Sequence, residues 1–191
     1  SSPKIAQLLT KTKMDGESLS EPYPIEFTSG DDCLVHAFFY KPKNPGYVAH
    51  RDELPPLIVM CHGGPTSASS SALNLKIQFW TSRGFAVADL NYRGSSGFGR
   101  SYRDALLKKW GLADVEDTTY LAQHLADNGL VDPERCIIRG SSAGGFTVLS
   151  ALTFTNTFKA GASFYGIGDL ESLARDTHKF ESYYLEGLVG S

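Results

Sequence analysis

The sequence predicts an α/β fold in which a mostly parallel sheet is flanked by helices. Three apolar runs have the length and composition of buried strands, at residues 57–61, 85–90 and 135–139. The first run is followed by a helical pattern at residues 74–83, which Gly84 ends, and the third by an apolar helical run at residues 146–152. Strands and helices that alternate in this order build parallel sheets with right-handed crossovers.

The remaining elements extend this sheet. Residues 24–27 and 33–40 predict two antiparallel strands at its edge, separated by the turn at residues 30–32. Another helix is predicted before the third apolar run, because small and apolar residues recur there at spacings of three and four and acidic residues crowd the first turn, where they suit the helix dipole. Its inward-facing residues are Val115, Thr118, Ala122 and Leu125, its acidic residues are Asp114, Glu116 and Asp117, and Gly129 ends it. Residues 1–22 are polar and predict a linker or N-terminal extension, which assigns residues 23–191 to the domain.

The composition is that of an ordinary globular domain. The chain has 191 residues, of which 41% are hydrophobic and 20% are charged, with a net charge of -3. No basic stripe indicates a nucleic acid or an anionic membrane as partner, and no apolar run is long enough to span a bilayer. The three cysteines, Cys33, Cys61 and Cys136, lie in strand-like segments without metal-site spacing, which favours buried reduced thiols. We therefore predict a cytoplasmic location.

The segment Gly140-Ser141-Ser142-Ala143-Gly144 carries the strongest functional signal. It is a G-x-S-x-G motif between a predicted strand and a predicted helix, a setting in which the central serine occupies a tight turn that exposes its hydroxyl. The motif alone is common, so its position decides the interpretation. We predict that Ser142 is a catalytic nucleophile.

A second motif supports this interpretation. The predicted strand at residues 57–61 runs directly into His62-Gly63-Gly64-Pro65, and an H-G-G loop at this place supplies an oxyanion-hole amide in serine hydrolases of the α/β-hydrolase kind. We predict that the amides of Gly64 and Ala143 form the oxyanion hole. His62 and Gly63 are predicted to shape this active-site loop, and His62 is not predicted to be the base.

Further segments match a known family. They include Trp80 to Val87, Asn91 to Arg100, Trp110-Gly111, Val131 to Arg135, Ala160 to Gly166 and Asp176 to Ser182. Together with the two motifs they resemble the C-terminal catalytic domain of the prolyl oligopeptidase family, in particular its acylaminoacyl-peptidase and dipeptidyl-peptidase-like branch. The resemblance implies a serine peptidase that acts on short peptides, an α/β-hydrolase fold without its last strands, and a β-propeller upstream. It implies no metal or organic cofactor, and the sequence leaves a homo-oligomer open.

The resemblance also predicts that the acid and base of the catalytic triad lie beyond Ser191, so that the 191-residue chain alone is inactive. An internal triad that uses Asp169 or Asp176 with His178 is disfavoured. Asp176 and His178 are two residues apart and would project from different faces of a helix. A carboxylesterase, which shares both motifs, and a non-catalytic fragment or scaffold are the alternatives to a peptidase.

Overall fold

The computed structural model describes residues 16–168 and 187–188. Within these residues the chain forms one six-stranded sheet with helices on both faces. The strands are β1 (Tyr23–Thr28), β2 (Leu34–Tyr40), β3 (Leu57–Cys61), β4 (Ala86–Asn91), β5 (Cys136–Ser141) and β6 (Ala160–Phe164), and the helices are α1 (Leu75–Thr81), α2 (Arg100–Asp104), α3 (Ala113–Asp127) and α4 (Ala143–Phe154).

The strand order is β1-β2-β4-β3-β5-β6. β1 and β2 are antiparallel at one edge, whereas β4, β3, β5 and β6 run parallel. The prediction of a mostly parallel sheet with an antiparallel hairpin at its edge is confirmed. Because β3 and β5 are parallel neighbours, Cys61 pairs with Gly140 at their carboxyl ends. The two predicted active-site motifs therefore leave the sheet side by side.

The sheet divides the core into two parts. The larger part includes α3 and α4, and it buries the predicted inward residues Val115, Ala122 and Leu125. The smaller part lies under α1, where Ile77 packs against Ile58 of the sheet. Burial on both faces explains why β3 and β4 are continuous apolar runs instead of alternating ones.

Strand β6 is different, because all five of its residues are exposed. Among the described residues it pairs with β5 alone. Leu152 of α4 covers one part of it, since a side chain at Gly161 would meet Leu152 Cδ1 at 2.5 Å.

The acidic first turn of α3 has a different role from the one predicted. Asp114 and Asp117 are fully buried, so they do not act as exposed charges at the helix dipole. Asp117 accepts hydrogen bonds from Arg93 Nε at 2.9 Å and from the Ser29 hydroxyl at 2.6 Å. This buried ion pair ties the β1–β2 hairpin and the end of β4 to α3.

The last residues of the predicted linker also differ from the prediction. Ser20 is buried, and its amide donates to the side chain of Gln78 on α1 at 2.8 Å, while Gln78 Nε2 donates back to the Ser20 carbonyl at 2.9 Å. The chain is thus attached to the domain before β1 begins, and the domain boundary at residue 23 stays a prediction. None of the helices formed by the described residues is long and apolar enough to cross a membrane.

Candidate active site

Ser142 occupies the turn between β5 and α4. Its backbone has φ 55° and ψ -121°, in the positive-φ region that a serine rarely adopts, and the residue is exposed. Its amide donates to the Phe164 carbonyl at 3.0 Å, and its side chain does not cap the helix. The turn thus leaves Ser142 exposed, with its side chain not used to cap α4.

The two glycines of the motif are required by close backbone contact. A Cβ atom at Gly140 would lie 2.3 Å from the Gly144 carbonyl oxygen. A Cβ atom at Gly144 would lie 2.3 Å from the Cys61 oxygen and 2.6 Å from the His62 oxygen. Since both contacts are with backbone atoms, no rotamer change would relieve them. The first turn of α4 therefore packs directly on the end of β3.

The same contact brings the H-G-G loop to the nucleophile turn. A Cβ atom at Gly63 would lie 3.3 Å from the Ser141 oxygen and 3.5 Å from Ser142 Cβ. Gly64 has φ 125°, a conformation that favours glycine. The Ala143 amide is the first of α4, and the first amides of a helix have no partner within the helix. Gly64 thus lies in the loop that meets the Ser142 turn, and Ala143 lies directly after Ser142 at the start of α4.

The contacts of His62 argue against a role as the catalytic base. Its ring stacks on Tyr92 at a centroid distance of 4.3 Å, with Nδ1 2.8 Å from the Gly63 oxygen and Nε2 2.7 Å from the Ser95 hydroxyl. Burial lowers the pKa of His62, which favours the neutral ring. The Ser95 hydroxyl donates to the Tyr92 carbonyl at 2.6 Å, so a ring proton on Nε2 would bond Ser95, whereas a ring proton on Nδ1 would bond the Gly63 oxygen. Both nitrogens are therefore occupied by neighbours other than Ser142.

The segment after the H-G-G loop is anchored to the end of β4. The Ser69 hydroxyl donates to Asp89 at 2.7 Å, and its amide donates to the Asn91 side chain at 2.8 Å. In the loop after β4, the Ser96 amide donates to the Ser67 carbonyl at 2.9 Å. Burial raises the pKa of Asp89 to about 6. These bonds fix the position of the loop that carries the Gly64 amide.

Helix α4 is supported from the opposite side by Asp114. One of its oxygens accepts from the Gly111 amide at 2.6 Å, and the other from the Thr147 hydroxyl of α4 at 2.5 Å. Burial raises the pKa of Asp114 to about 6, while the two hydrogen bonds oppose this rise. Asp114 thus joins the first turn of α3 to the helix that begins at Ser142.

The structure does not test the predictions for the internal triad. Asp169, Asp176 and His178 lie outside the described residues.

Cys61, at the end of β3, is buried, and burial raises the pKa of its thiol well above the usual value. Its thiol is therefore not a competing nucleophile beside Ser142.

Several residues around the site were not found from the sequence. Ser95, Asp89 and Asp114 hold the loops, and Arg139 faces a cavity beside them. Asp89 and Arg139 had a detectable signal, because each is a charged residue inside a strand that is otherwise apolar. The partners of Ser95 and Asp114 are distant in sequence, so no local pattern identifies them.

An exposed serine at a strained strand-to-helix turn, with a glycine loop from the neighbouring parallel strand against it, defines an α/β-hydrolase site. The chain belongs to the prolyl oligopeptidase family, whose sequence profile matches residues 71–190. This confirms the family resemblance predicted from the motifs.

Individual relatives agree with this assignment. Dipeptidyl aminopeptidase BIII of Pseudoxanthomonas mexicana is 28% identical over 182 residues, which are 94% of this chain and 26% of that protein. A puromycin-hydrolyzing peptidase of Mycobacterium tuberculosis superposes with a TM-score of 0.91 at 48% identity, over 93% of this chain and 27% of that chain. The acylaminoacyl peptidase of Pyrococcus horikoshii gives a TM-score of 0.78 at 27% identity, over 90% and 27% of the two chains. The chain spans about a quarter of the length of these relatives.

Proposed function

We propose that this chain forms part of the catalytic domain of a serine peptidase that hydrolyses short peptides through an acyl-enzyme on Ser142. The observation that carries the proposal is the meeting of two loops. Ser142 is exposed at φ 55°, and Gly63 lies against it. The peptidase names of the relatives support the choice of substrate class.

In the proposed reaction the Ser142 oxygen attacks the scissile carbonyl carbon and loses its proton to a base. The carbonyl oxygen becomes negatively charged, and the amides of Gly64 and Ala143 stabilise it. Each such donor contributes roughly 3 kcal/mol in comparable sites. The amine leaves with the proton from the base, and water then attacks the acyl-enzyme to release the acid and restore the serine.

The proposal assigns the base and its orienting carboxylate to polypeptide beyond Ser191. The contacts of His62 with Gly63 and Ser95 support leaving it out of this role. We also propose an upstream β-propeller and a cytoplasmic location for the whole protein, on the strength of the family resemblance and the sequence composition.

Labelling with a fluorophosphonate probe tests the proposal. We expect the full-length protein to be labelled and the Ser142→Ala variant to remain unlabelled, because the probe reacts with a serine that has a working base. Hydrolysis of a peptide p-nitroanilide and of a matched p-nitrophenyl ester then separates a peptidase from a carboxylesterase. A folded full-length protein without Ser142-dependent labelling would establish the non-catalytic alternative instead.

A further inference from the structure

A cavity of about 790 Å³ lies directly beside the candidate nucleophile turn. Its lining includes Met60 of β3, His62, Ser141 and residues 68–70. Two charged residues of the sheet, Asp89 and Arg139, face into it from the strands on either side of β3. The cavity is distinct from the turn itself but opens next to it.

Arg139 is the unusual member of this wall. Its guanidinium carbon lies 5.1 Å from the ring centroid of Phe164 and 5.9 Å from that of Trp80. Within residues 16–168 and 187–188, no carboxylate lies within ion-pair distance of it. Other arginines near the domain core have such partners, as Arg93 does with Asp117. A half-buried guanidinium near two aromatic rings is suited to bind a carboxylate through two parallel hydrogen bonds.

Asp89 does not neutralise Arg139. Both residues are in register with Met60, so one strand separates them. The spacing of neighbouring strands puts their backbones about 10 Å apart. Asp89 instead accepts from the Ser69 hydroxyl at 2.7 Å. Lys76 on α1 adds a second positive charge to the cavity wall.

We infer that Arg139 binds the C-terminal carboxylate of short peptide substrates in this cavity. A peptide carries its terminal carboxylate on the amine side of the scissile bond, so the cavity holds the leaving fragment. Arg139 is three residues from Ser142, at most about 11 Å along the backbone. A leaving fragment of one or two residues spans such a distance. The inference rests on the proposed function and adds to it a preference for peptides with a free C-terminus close to the cleaved bond.

A binding experiment without turnover tests this inference. The full-length protein with Ser142→Ala is titrated with N-acetyl-tetraalanine as the free acid and as the C-terminal amide. We expect the acid to bind about 10-fold to about 100-fold more tightly, as expected for hydrogen bonds to a charged group. A third peptide, the amide with a C-terminal glutamate residue, shows whether a side-chain carboxylate can replace the terminal one.

Variants of Arg139 complete the test. Arg139→Met keeps an apolar stem against the two rings, and it should reduce the ratio of acid to amide affinity to near 1. Arg139→Lys keeps the charge without the bidentate geometry and should give an intermediate ratio. Lys159→Gln removes an exposed positive charge at the far end of β6 and should leave the ratio unchanged. Thermal unfolding of each variant reports whether it is folded.

Two results would overturn the inference. One is equal affinity for acid and amide in the Ser142→Ala protein, which would also follow if a carboxylate elsewhere in the polypeptide already occupied Arg139. The other is a ratio that survives in Arg139→Met. These titrations need no catalysis, so the inference about Arg139 and the proposed role of Ser142 are tested separately. Either one can fail while the other is supported.

Discussion

Replacing Gly144 with alanine tests whether direct backbone contact holds the nucleophile turn against the oxyanion loop. The added Cβ would lie 2.3 Å from the Cys61 oxygen, about 1 Å short of an ordinary contact. The methyl group cannot rotate away, and the oxygens of Cys61 and His62 belong to the backbone. Either α4 or the end of β3 must therefore move by about 1 Å.

The expected magnitudes follow from this displacement. Alanine in a helix is favoured over glycine by about 0.5–1 kcal/mol, whereas overpacking costs about 1–3 kcal/mol. We expect the free energy of unfolding to fall by roughly 1–2 kcal/mol. A misplacement of about 1 Å between nucleophile and oxyanion donors can reduce catalysis about 100-fold. We therefore expect kcat/KM on a peptide p-nitroanilide to fall by about that factor in the full-length enzyme.

The assay compares Gly144→Ala with Gly16→Ala. Gly16 is a matched control because a Cβ atom there would meet nothing within 4 Å. Urea unfolding gives the stability change, and steady-state kinetics give the loss of turnover. If Gly144→Ala kept wild-type stability and turnover within about threefold, the reasoning from backbone contact would be refuted.

Two further predictions concern the buried acids. Because burial raises the pKa of Asp114 to about 6, above its ordinary 3.8, the folded state holds the proton more tightly than the unfolded state. This stabilisation is complete below about pH 4 and is lost as the pH rises to about 6, a fall of about 3 kcal/mol in the free energy of unfolding. In Asp114→Asn the amide oxygen still accepts from the Gly111 amide, while the amide nitrogen can donate to the Thr147 hydroxyl oxygen. This variant should remove this part of the fall in urea unfolding measured from pH 4 to pH 7, leaving the part due to Asp89, and an unchanged pH dependence would contradict the assignment. Asp117→Ala removes the fully buried partner of Arg93 and leaves this cation with the more exposed Glu116 and Asp31, which should cost about 3 kcal/mol. Lys109→Ala at an exposed ion pair should cost under about 1 kcal/mol, and similar losses in both variants would show that burial does not control the difference.

The sheet and its helices could be predicted from the sequence because their patterns are local. A parallel strand buried on both faces is a short continuous apolar run, as in β3, and an amphipathic helix repeats every three to four residues, as in α3. For most of these strands, the observed bounds differ from the predicted bounds by one or two residues. The short helix α2 was missed, because five residues contain too little periodicity to detect.

Of the candidate site, only the two sequence motifs could be predicted. The nucleophile and oxyanion motifs were found because each follows a predicted strand. The supporting contacts depend on which strands become neighbours and how closely their backbones approach. The 2.5 Å contact between Asp114 and Thr147 joins residues 33 positions apart, and nothing in either local sequence indicates the other. The acid–base partners of Ser142 stay a prediction.

The end of β4 has a consequence for how this domain tolerates sequence change. Asp89 and Asn91 bind Ser69, Tyr92 stacks on His62, and Arg93 pairs with a buried acid. A stretch of five residues outside both motifs thus fixes three separate segments of the domain that carries Ser142. In a saturation mutagenesis screen scored for peptidase activity, these positions should be about as intolerant as the motif residues themselves. Library designs that aim at new substrates should therefore leave this stretch unchanged and vary the cavity residues outside it instead.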